Sequence, residues 1–320
     1  MLDIIFEKLN KNSLLTKEEI IYLLNLDINS FEMSKIFNYS NSLSRKNFNN
    51  KGIIFAQIGL DNSPCSKNCN FCFFGAKHGL ISETKELSLE EIKDKVQEFL
   101  INGVDEIFLM STADYSFDKF LNIAREVRKI IPQNIKFVAN TGDLKPQQIS
   151  MLEEVGFTGA YHICRLGEEK DTDISIEERC QTLENIKNSS LELYYCIEPI
   201  GPEHTSEEIA EEILRGIKYE TAVMAVMRRV PVPGTPFENY EKISEYELAK
   251  ICAIVRSVFG NSIRAMGVHE PSLLSLIVGA NQIYAEKGCN PRDIKKDTEN
   301  SRGFSVEKTR EFLKEANWNC

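Results

Sequence analysis

Cys65, Cys69 and Cys72 fall within one short segment, NSPCSKNCNFCFFGAKHG, while the other six of the nine cysteines are dispersed along the chain. A C-x3-C-x2-C spacing places three thiolates where they can bind three irons of a [4Fe–4S] cube and leave the fourth iron without a protein ligand. Zinc is the competing metal. It prefers closed tetrahedral sets built from paired cysteine knuckles, and no second knuckle follows here. Three unrelated buried thiols are the remaining alternative, which this density disfavours.

The chain around the cluster has 320 residues, 42% hydrophobic and 27% charged, which suits one large α/β domain or two smaller ones. Its net charge is −10. An acidic surface argues against nucleic acid or an anionic membrane as the main partner, since both need clustered Lys and Arg. The amphipathic start, MLDIIFEKLNKNSLLTKEEIIYLLNL, carries acids early and lacks a basic region before a long apolar run, so no signal peptide is read. No apolar stretch approaches the roughly 20 residues of a membrane span. A cytoplasmic location is expected, where thiols stay reduced and a tight cysteine cluster binds metal in preference to forming disulfides.

Something must hold the cluster in place, and the rhythm of the sequence says what. Residues 1–50 read as short helices, with Thr16 and Glu19 as a capping box. From residue 53, short apolar runs alternate with amphipathic segments: IIFAQIGL (53–60), EIFLMS (106–111), IKFVAN (135–140), GAYHIC (159–164), LELYYCIEP (191–199), AVMAVMRRV (222–230) and SIRAMGV (262–268). Alternating β and α units predict a parallel sheet with right-handed crossovers. Their number suits an α/β fold of the full or partial (β/α)8 TIM-barrel type, flanked by N-terminal helices and a C-terminal helical extension. The expected divisions are an N-terminal helical segment at 1–50, the barrel at 51–284 and an extension packed on it at 285–320. In such a barrel chemistry sits at the C-terminal strand ends. Here those ends, including the stretch from Met266 to Glu270, are rich in ligand-type residues.

The segment CSKNCNFC, with an aromatic before its last cysteine, resembles the signature of radical S-adenosylmethionine (SAM) enzymes, and most of the chain resembles the biotin synthase-like branch. The resemblance implies that Cys65, Cys69 and Cys72 hold a [4Fe–4S] cluster whose open iron chelates SAM. It further implies reductive cleavage of SAM to a 5′-deoxyadenosyl radical that abstracts hydrogen from a small-molecule substrate. An electron donor such as flavodoxin or ferredoxin would serve it, and a homodimer is compatible with it. EERCQTLENI is similar to the family helix whose arginine grips the SAM carboxylate, which implicates Arg179. EPIGPEHT is similar to the turn over the adenine, implicating Ile200, Gly201 and Glu203. VPVPGTPFE is similar to the strand end lining the same pocket, implicating Val232. LMSTADY stands where the family binds the SAM amino group, making Ser111, Thr112 and Asp114 candidates although the usual Gly-Gly-Glu is absent. YHICRLGEEKDT falls at the ribose and substrate position, where Arg165 and Glu168 are candidates without the family's Asn and Asp. Phe71, Phe73 and Phe74 can shield the cube.

Biotin synthase carries a second cluster in its barrel. Two of the positions that would supply its cysteines here hold none, whereas Cys196 matches one, His269 aligns with the arginine ligand and Cys164 is an additional thiol. Cys164 and Cys196 are therefore expected to point into the barrel as catalytic or metal-binding thiols, with His269, in an auxiliary iron–sulfur centre or against a sulfur-bearing substrate. Two small buried hydrophobes are the plainer alternative. Glu198, on the same strand face as Cys196, should point inward too and needs a partner, with Arg165, Arg228 and Arg229 as candidates. Sulfur insertion is the favoured reaction. A methylornithine synthase-like rearrangement and a hydrogenase maturase-like reaction are the alternatives, and a non-catalytic iron–sulfur or zinc protein is the reading from another class.

Overall fold

Most amphipathic segments begin on a Ser or Thr side chain that accepts a free backbone N–H, and each apolar run between them folds as a strand. The computed structural model describes residues 1–269, 271–293 and 304–320. Three helices come first: α1 (Leu2–Asn10), α2 (Lys17–Leu24) and α3 (Phe31–Asn47). The capping box at α2 is formed, with Thr16 N–H donating to Glu19 Oε2 at 2.8 Å. The strands are β1 (Ile53–Gly59), β2 (Glu106–Met110), β3 (Lys136–Asn140), β4 (Gly159–Tyr161), β5 (Glu192–Ile200), β6 (Val223–Arg228), β7 (Ala265–Val268) and β8 (Gln282–Gly288). Between them run α4 (Leu89–Ile101), α5 (Phe117–Arg128), α6 (Pro146–Val155), α7 (Ile176–Lys187), α8 (Ser206–Lys218), α9 (Glu245–Phe259) and α10 (Leu273–Val278), and α11 (Val306–Glu315) follows β8.

The strands pair in parallel in chain order, and β8 returns to β1 with Phe55 opposite Tyr284, so the barrel is closed. The eighth strand is where the sequence reading needs correction. A boundary at 284/285 cuts β8 in half, and residues 285–288 are strand and not helical extension. Within QIYAEKG, Ile283 and Ala285 join the core between barrel and helices, while Tyr284 packs with Phe55 inside the barrel. Glu286 and Lys287 dilute the apolar signal that marks the other strands. Glu270, within one ligand-rich strand end, and residues 294–303, within the expected extension, lie outside the described residues.

The barrel interior is filled below its mouth by Ile53, Phe55, Phe108, Val138, Tyr194, Val223, Ala265 and Tyr284. Beneath them a polar plug closes the N-terminal end. Arg264 donates to Glu106 at 2.7 Å and to Glu192 at 2.9 Å, and Gln282 donates to the second Glu106 oxygen at 2.8 Å. Glu106 is buried, and burial pushes its carboxyl up despite Arg264. Removing one partner of such a pair strands the other charge. Arg264→Met is therefore expected to destabilise the fold by about 3–5 kcal/mol, read as a lower denaturant midpoint at unchanged slope. A loss below about 1 kcal/mol, the range of exposed pairs, would show that the plug does not hold the barrel together.

Helices α2 and α3 pack on α8, α9 and α10, while α11 packs on β8 and β1. Ser44 of α3 donates to the Gly279 carbonyl at 2.7 Å, and Trp318 after α11 donates to the Leu276 carbonyl at 3.1 Å. Both ends of the chain thus brace the barrel wall and leave the C-terminal strand ends open.

Candidate active site at the barrel mouth

The loop after β1 folds back on itself through its own backbone. Cys65 N–H donates to the Phe74 carbonyl at 2.7 Å, Ala76 N–H to the Cys65 carbonyl at 2.9 Å, and Cys72 N–H to the Cys69 carbonyl at 2.9 Å. Asn68 takes a left-handed conformation, φ 48°, between the first two cysteines. The His78 ring nitrogen lies 3.0 Å from the Cys69 carbonyl. Gly75 makes room for this, since a Cβ there would sit 2.4 Å from that ring. Phe73 and Phe74 pack with Val232 and Cys289 against Cys65 and Cys72, and Phe73 N–H donates to the Pro291 carbonyl at 2.7 Å. Phe71 lines the open side.

All three thiols line one cavity at the barrel mouth, about 1200 Å³ of empty space with the adjoining open solvent included. Burial pushes each upward, Cys69 to about 11, with the neighbouring thiols adding to the shifts of Cys69 and Cys72. Without a cation they stay protonated, and a bound metal would replace their protons. Three soft sulfur donors, converging on a cavity large enough for a further ligand, fit a [4Fe–4S] cluster with one open iron.

The other expected cofactor contacts divide into two groups. Ser111, Thr112, Arg165 and Arg179 line this cavity with the cysteines. Thr112 is held by Asp61, which accepts from its N–H and its hydroxyl, each at 2.8 Å. Asp114 does not line the cavity. It is exposed and accepts from the Ser66 hydroxyl at 2.9 Å, tying down the cysteine loop. Glu168 is buried behind the wall, accepting from Arg165 N–H at 3.1 Å and lying 3.5 Å from Arg179 Nε. Ile200, Gly201 and Glu203 also stand outside the lining. Ile200 is in the core, and Glu203 pairs with Arg229. A Cβ on Gly201 would fall 2.4 Å from that guanidinium, which accounts for the glycine. Val232 sits beneath the cysteine loop in place of the cavity wall.

Arg179 reaches the cavity from α7 and lies 3.2 Å from Asp143, whose other neighbour is His162 Nε2 at 3.3 Å. Asp143 stands outside the cavity lining but holds two residues that line it, and no motif singles it out. Burial would raise its carboxyl, but His162 and Arg179 together hold it well below the usual range. Burial presses the His162 imidazole down to about 4, although Asp143 opposes this. The folded protein therefore binds fewer protons here than the unfolded chain below about pH 6.5. Stability contributed by neutral His162 is present above that pH and is lost as the pH falls from 6.5 towards 4, by about 3 kcal/mol in total. His162→Gln is expected to flatten the acid limb of stability across that window, measured by denaturant titration at several pH values. An unchanged limb would exclude His162 as its source.

Cys164 and Cys196 do not face the same space. β4 ends at Tyr161, so alternation is lost before Cys164, and its thiol is buried near Glu212 and Arg215 of α8. It therefore belongs to the packing between barrel and helices, which corrects its expected place in the barrel. Cys196 lies inside, and burial raises its thiol far above the ordinary value. Its sulfur, a Glu198 oxygen and a His269 nitrogen all lie within 4.8 Å of one another. Arg165 is the nearest cation to Glu198, at 3.5 Å, whereas Arg228 pairs with Glu245 and Arg229 with Glu203. On the opposite wall, Arg292 donates to Glu286 at 2.7 Å and Gln57 donates to the same carboxylate at 3.1 Å. Glu286 and Arg292 come from β8 and the turn after it, the strand that the residue pattern conceals.

Comparison with known proteins identifies the domain that carries the cysteine loop. Residues 64–215 match the Radical SAM superfamily. The chain carries a radical SAM domain. It is similar to the biotin synthase of Acetivibrio thermocellus, 27% identical over 263 residues that cover 78% of this chain and 79% of that one. Among solved structures, methylornithine synthase aligns over 97% of this chain and 95% of its own, with TM-score 0.81 and 17% identity. The [FeFe]-hydrogenase maturase of Carboxydothermus hydrogenoformans aligns over 99% and 78%, with TM-score 0.81 and 18% identity. The structural likenesses concern the fold. The radical SAM domain and the sequence similarity to biotin synthases support a radical SAM enzyme of the biotin synthase-like branch, for which that family implies a [4Fe–4S] cluster, SAM, a small-molecule substrate and a reductant. Among the described residues, no helix is long and apolar enough to cross a membrane.

Proposed function

We propose that this radical SAM enzyme abstracts hydrogen from a small polar molecule bearing both a cationic and an anionic group, the class that includes free amino acids. The observation that carries this reading is the pairing of charges facing the cavity below the cysteine loop. Glu198 and Glu286 offer carboxylates, Arg165 and Arg292 offer guanidiniums, and Gln57 and Asn140 lie between them. Opposite charges at fixed positions on rigid strands orient a zwitterion and reject molecules that leave either charge unpaired. When bound, the cluster and SAM would supply the radical chemistry, held by Cys65, Cys69 and Cys72, with Ser111, Thr112 and Arg179 along the same cavity. The closed ring of strands walls off the substrate at its sides, while the barrel mouth stays open.

Under this reading the reaction is a rearrangement or fragmentation of the substrate. Sulfur insertion is the second reading, supported by similarity to biotin synthases and by Cys196 inside the barrel. The displacement of Cys164 to the helix side removes one of the two thiols on which it drew. A flavodoxin- or ferredoxin-type protein is the proposed electron donor.

The test is anaerobic reconstitution with iron and sulfide, reduction, and assay with SAM against a panel of amino acids and of uncharged analogues. The expected result is 5′-deoxyadenosine and methionine, formed faster with a zwitterionic compound and with substrate hydrogen carried into the nucleoside. Stimulation by a neutral apolar compound alone would overturn the substrate class. A product containing sulfur would favour the second reading. An intact cluster with no SAM cleavage would return the protein to a binding role.

A further inference from the structure

We propose that Cys196, Glu198 and His269 bind a single divalent metal ion of the zinc or ferrous class inside the barrel, separate from the cysteine loop. Three different donor types converge: a sulfur, a carboxylate oxygen and an imidazole nitrogen, each within 4.8 Å of the other two. Around one tetrahedral ion such donors stand about 3.3–3.6 Å apart, given metal–ligand lengths near 2.0–2.3 Å. Closing the set needs shifts of about 1 Å, within reach of small side-chain rotations.

The positions are rigid. Cys196 and Glu198 are two apart on β5 and share its inner face. His269 directly follows β7, fixed by its N–H to the Val226 carbonyl at 3.1 Å. The rings of Phe55, Tyr161 and Tyr284 lie 5.5–5.9 Å from the His269 ring and shut out water on that side. Exposed carboxylates gather on many surfaces without a metal, but here the thiol is fully buried and the other two groups are half-buried.

Charge also closes. The Cys196 thiol releases its proton to solvent on binding, and the resulting thiolate and the Glu198 carboxylate balance a 2+ ion. Of the two nearby cations, Arg292 is matched by Glu286, and Arg165 feels the charge of Glu168 as well as that of Glu198. A mixed sulfur, nitrogen and oxygen set selects zinc or ferrous iron over magnesium or calcium, which take all-oxygen sites. Glu198 and His269 line the cavity, so the fourth coordination position opens onto it and can take a Lewis-basic atom of the substrate. That last role rests on the proposed function, with Glu286, and not the metal-bound Glu198, then facing the cationic group of the substrate. Metal binding itself does not.

The test separates the two metal sites. A Cys65→Ser/Cys69→Ser/Cys72→Ser variant is loaded anaerobically with zinc, desalted, and analysed for metal and acid-labile sulfide. About one zinc per chain without sulfide is expected. Adding Cys196→Ala and His269→Ala should lower retained zinc at least tenfold, with folding followed by circular dichroism. Should those variants fold poorly, cobalt loaded into the first variant gives an independent readout: a thiolate-to-cobalt charge-transfer band that Cys196→Ser abolishes. Failure to retain zinc or cobalt, retention after removal of Cys196 and His269, or iron accompanied by stoichiometric sulfide would each overturn the proposal. SAM cleavage by the wild-type enzyme is measured separately, so failure of the radical reading and failure of the metal site are distinguishable.

Discussion

Cys72→Ser is expected to leave the barrel folded and to eliminate SAM cleavage. Cys72 is the most enclosed of the three loop thiols, and its sulfur accepts from Phe74 N–H at 3.4 Å. A serine hydroxyl preserves that contact and the local volume, so the loop keeps its shape and the stability change should stay within about 1 kcal/mol. What is lost is a soft anionic donor that an iron needs. Iron and sulfide retained after anaerobic reconstitution should fall to background, and 5′-deoxyadenosine should fall to the level of an enzyme-free blank. A Cys72→Ser protein that still carries a full cluster and cleaves SAM would mean that the loop is not the cluster site.

Arg179→Ala should weaken SAM binding by about 10- to 150-fold, corresponding to the loss of one hydrogen bond to a charged group, about 1.5–3 kcal/mol. It should also lower stability. Arg179 stands between Asp143, at 3.2 Å, and Glu168, at 3.5 Å, and its removal leaves both carboxylates with one less cation. Arg179→Lys restores the charge but not the planar fork that spans the two acids and the cavity. It is expected to recover stability in large part and SAM affinity only partly. Equilibrium binding of SAM to the reconstituted protein, beside denaturant titration, checks the two effects separately. Equal SAM affinity in all three proteins would confine Arg179 to a structural role.

Much of this arrangement can be read directly from residue types. The first seven strands declare themselves because each is an apolar run between amphipathic segments, and the cysteine spacing states its chemistry without help from the fold. β8 is harder to see because its inner face must carry Glu286 into the cavity, so function dilutes its strand signal. Cys164 illustrates a second limit. Alternation within GAYHIC puts Tyr161 and Ile163 on one side, but the strand ends at Tyr161, and the irregular backbone that follows determines where Cys164 goes. A third limit is partner choice. Glu203 stands in a segment similar to a cofactor turn, yet Arg229, 26 positions later, takes its carboxylate. No local pattern reveals a pairing made by two different strand ends. Glu198 and His269, in contrast, are visible as ligand types at strand ends; strand alternation already pairs Glu198 with Cys196, and only the closed barrel brings His269 to them.

The pairing of β1 with β8 also has a consequence for the order of events in the cell. Gln57 on β1 meets Glu286 on β8 across 229 positions of sequence, and Phe73 of the cysteine loop leans on the Pro291 carbonyl just beyond. A nascent chain thus exposes its three cluster thiols early, long before the segment that supports them leaves the ribosome. Iron loading belongs after release, when the last strand has docked, and until then the thiols depend on the reducing conditions around them.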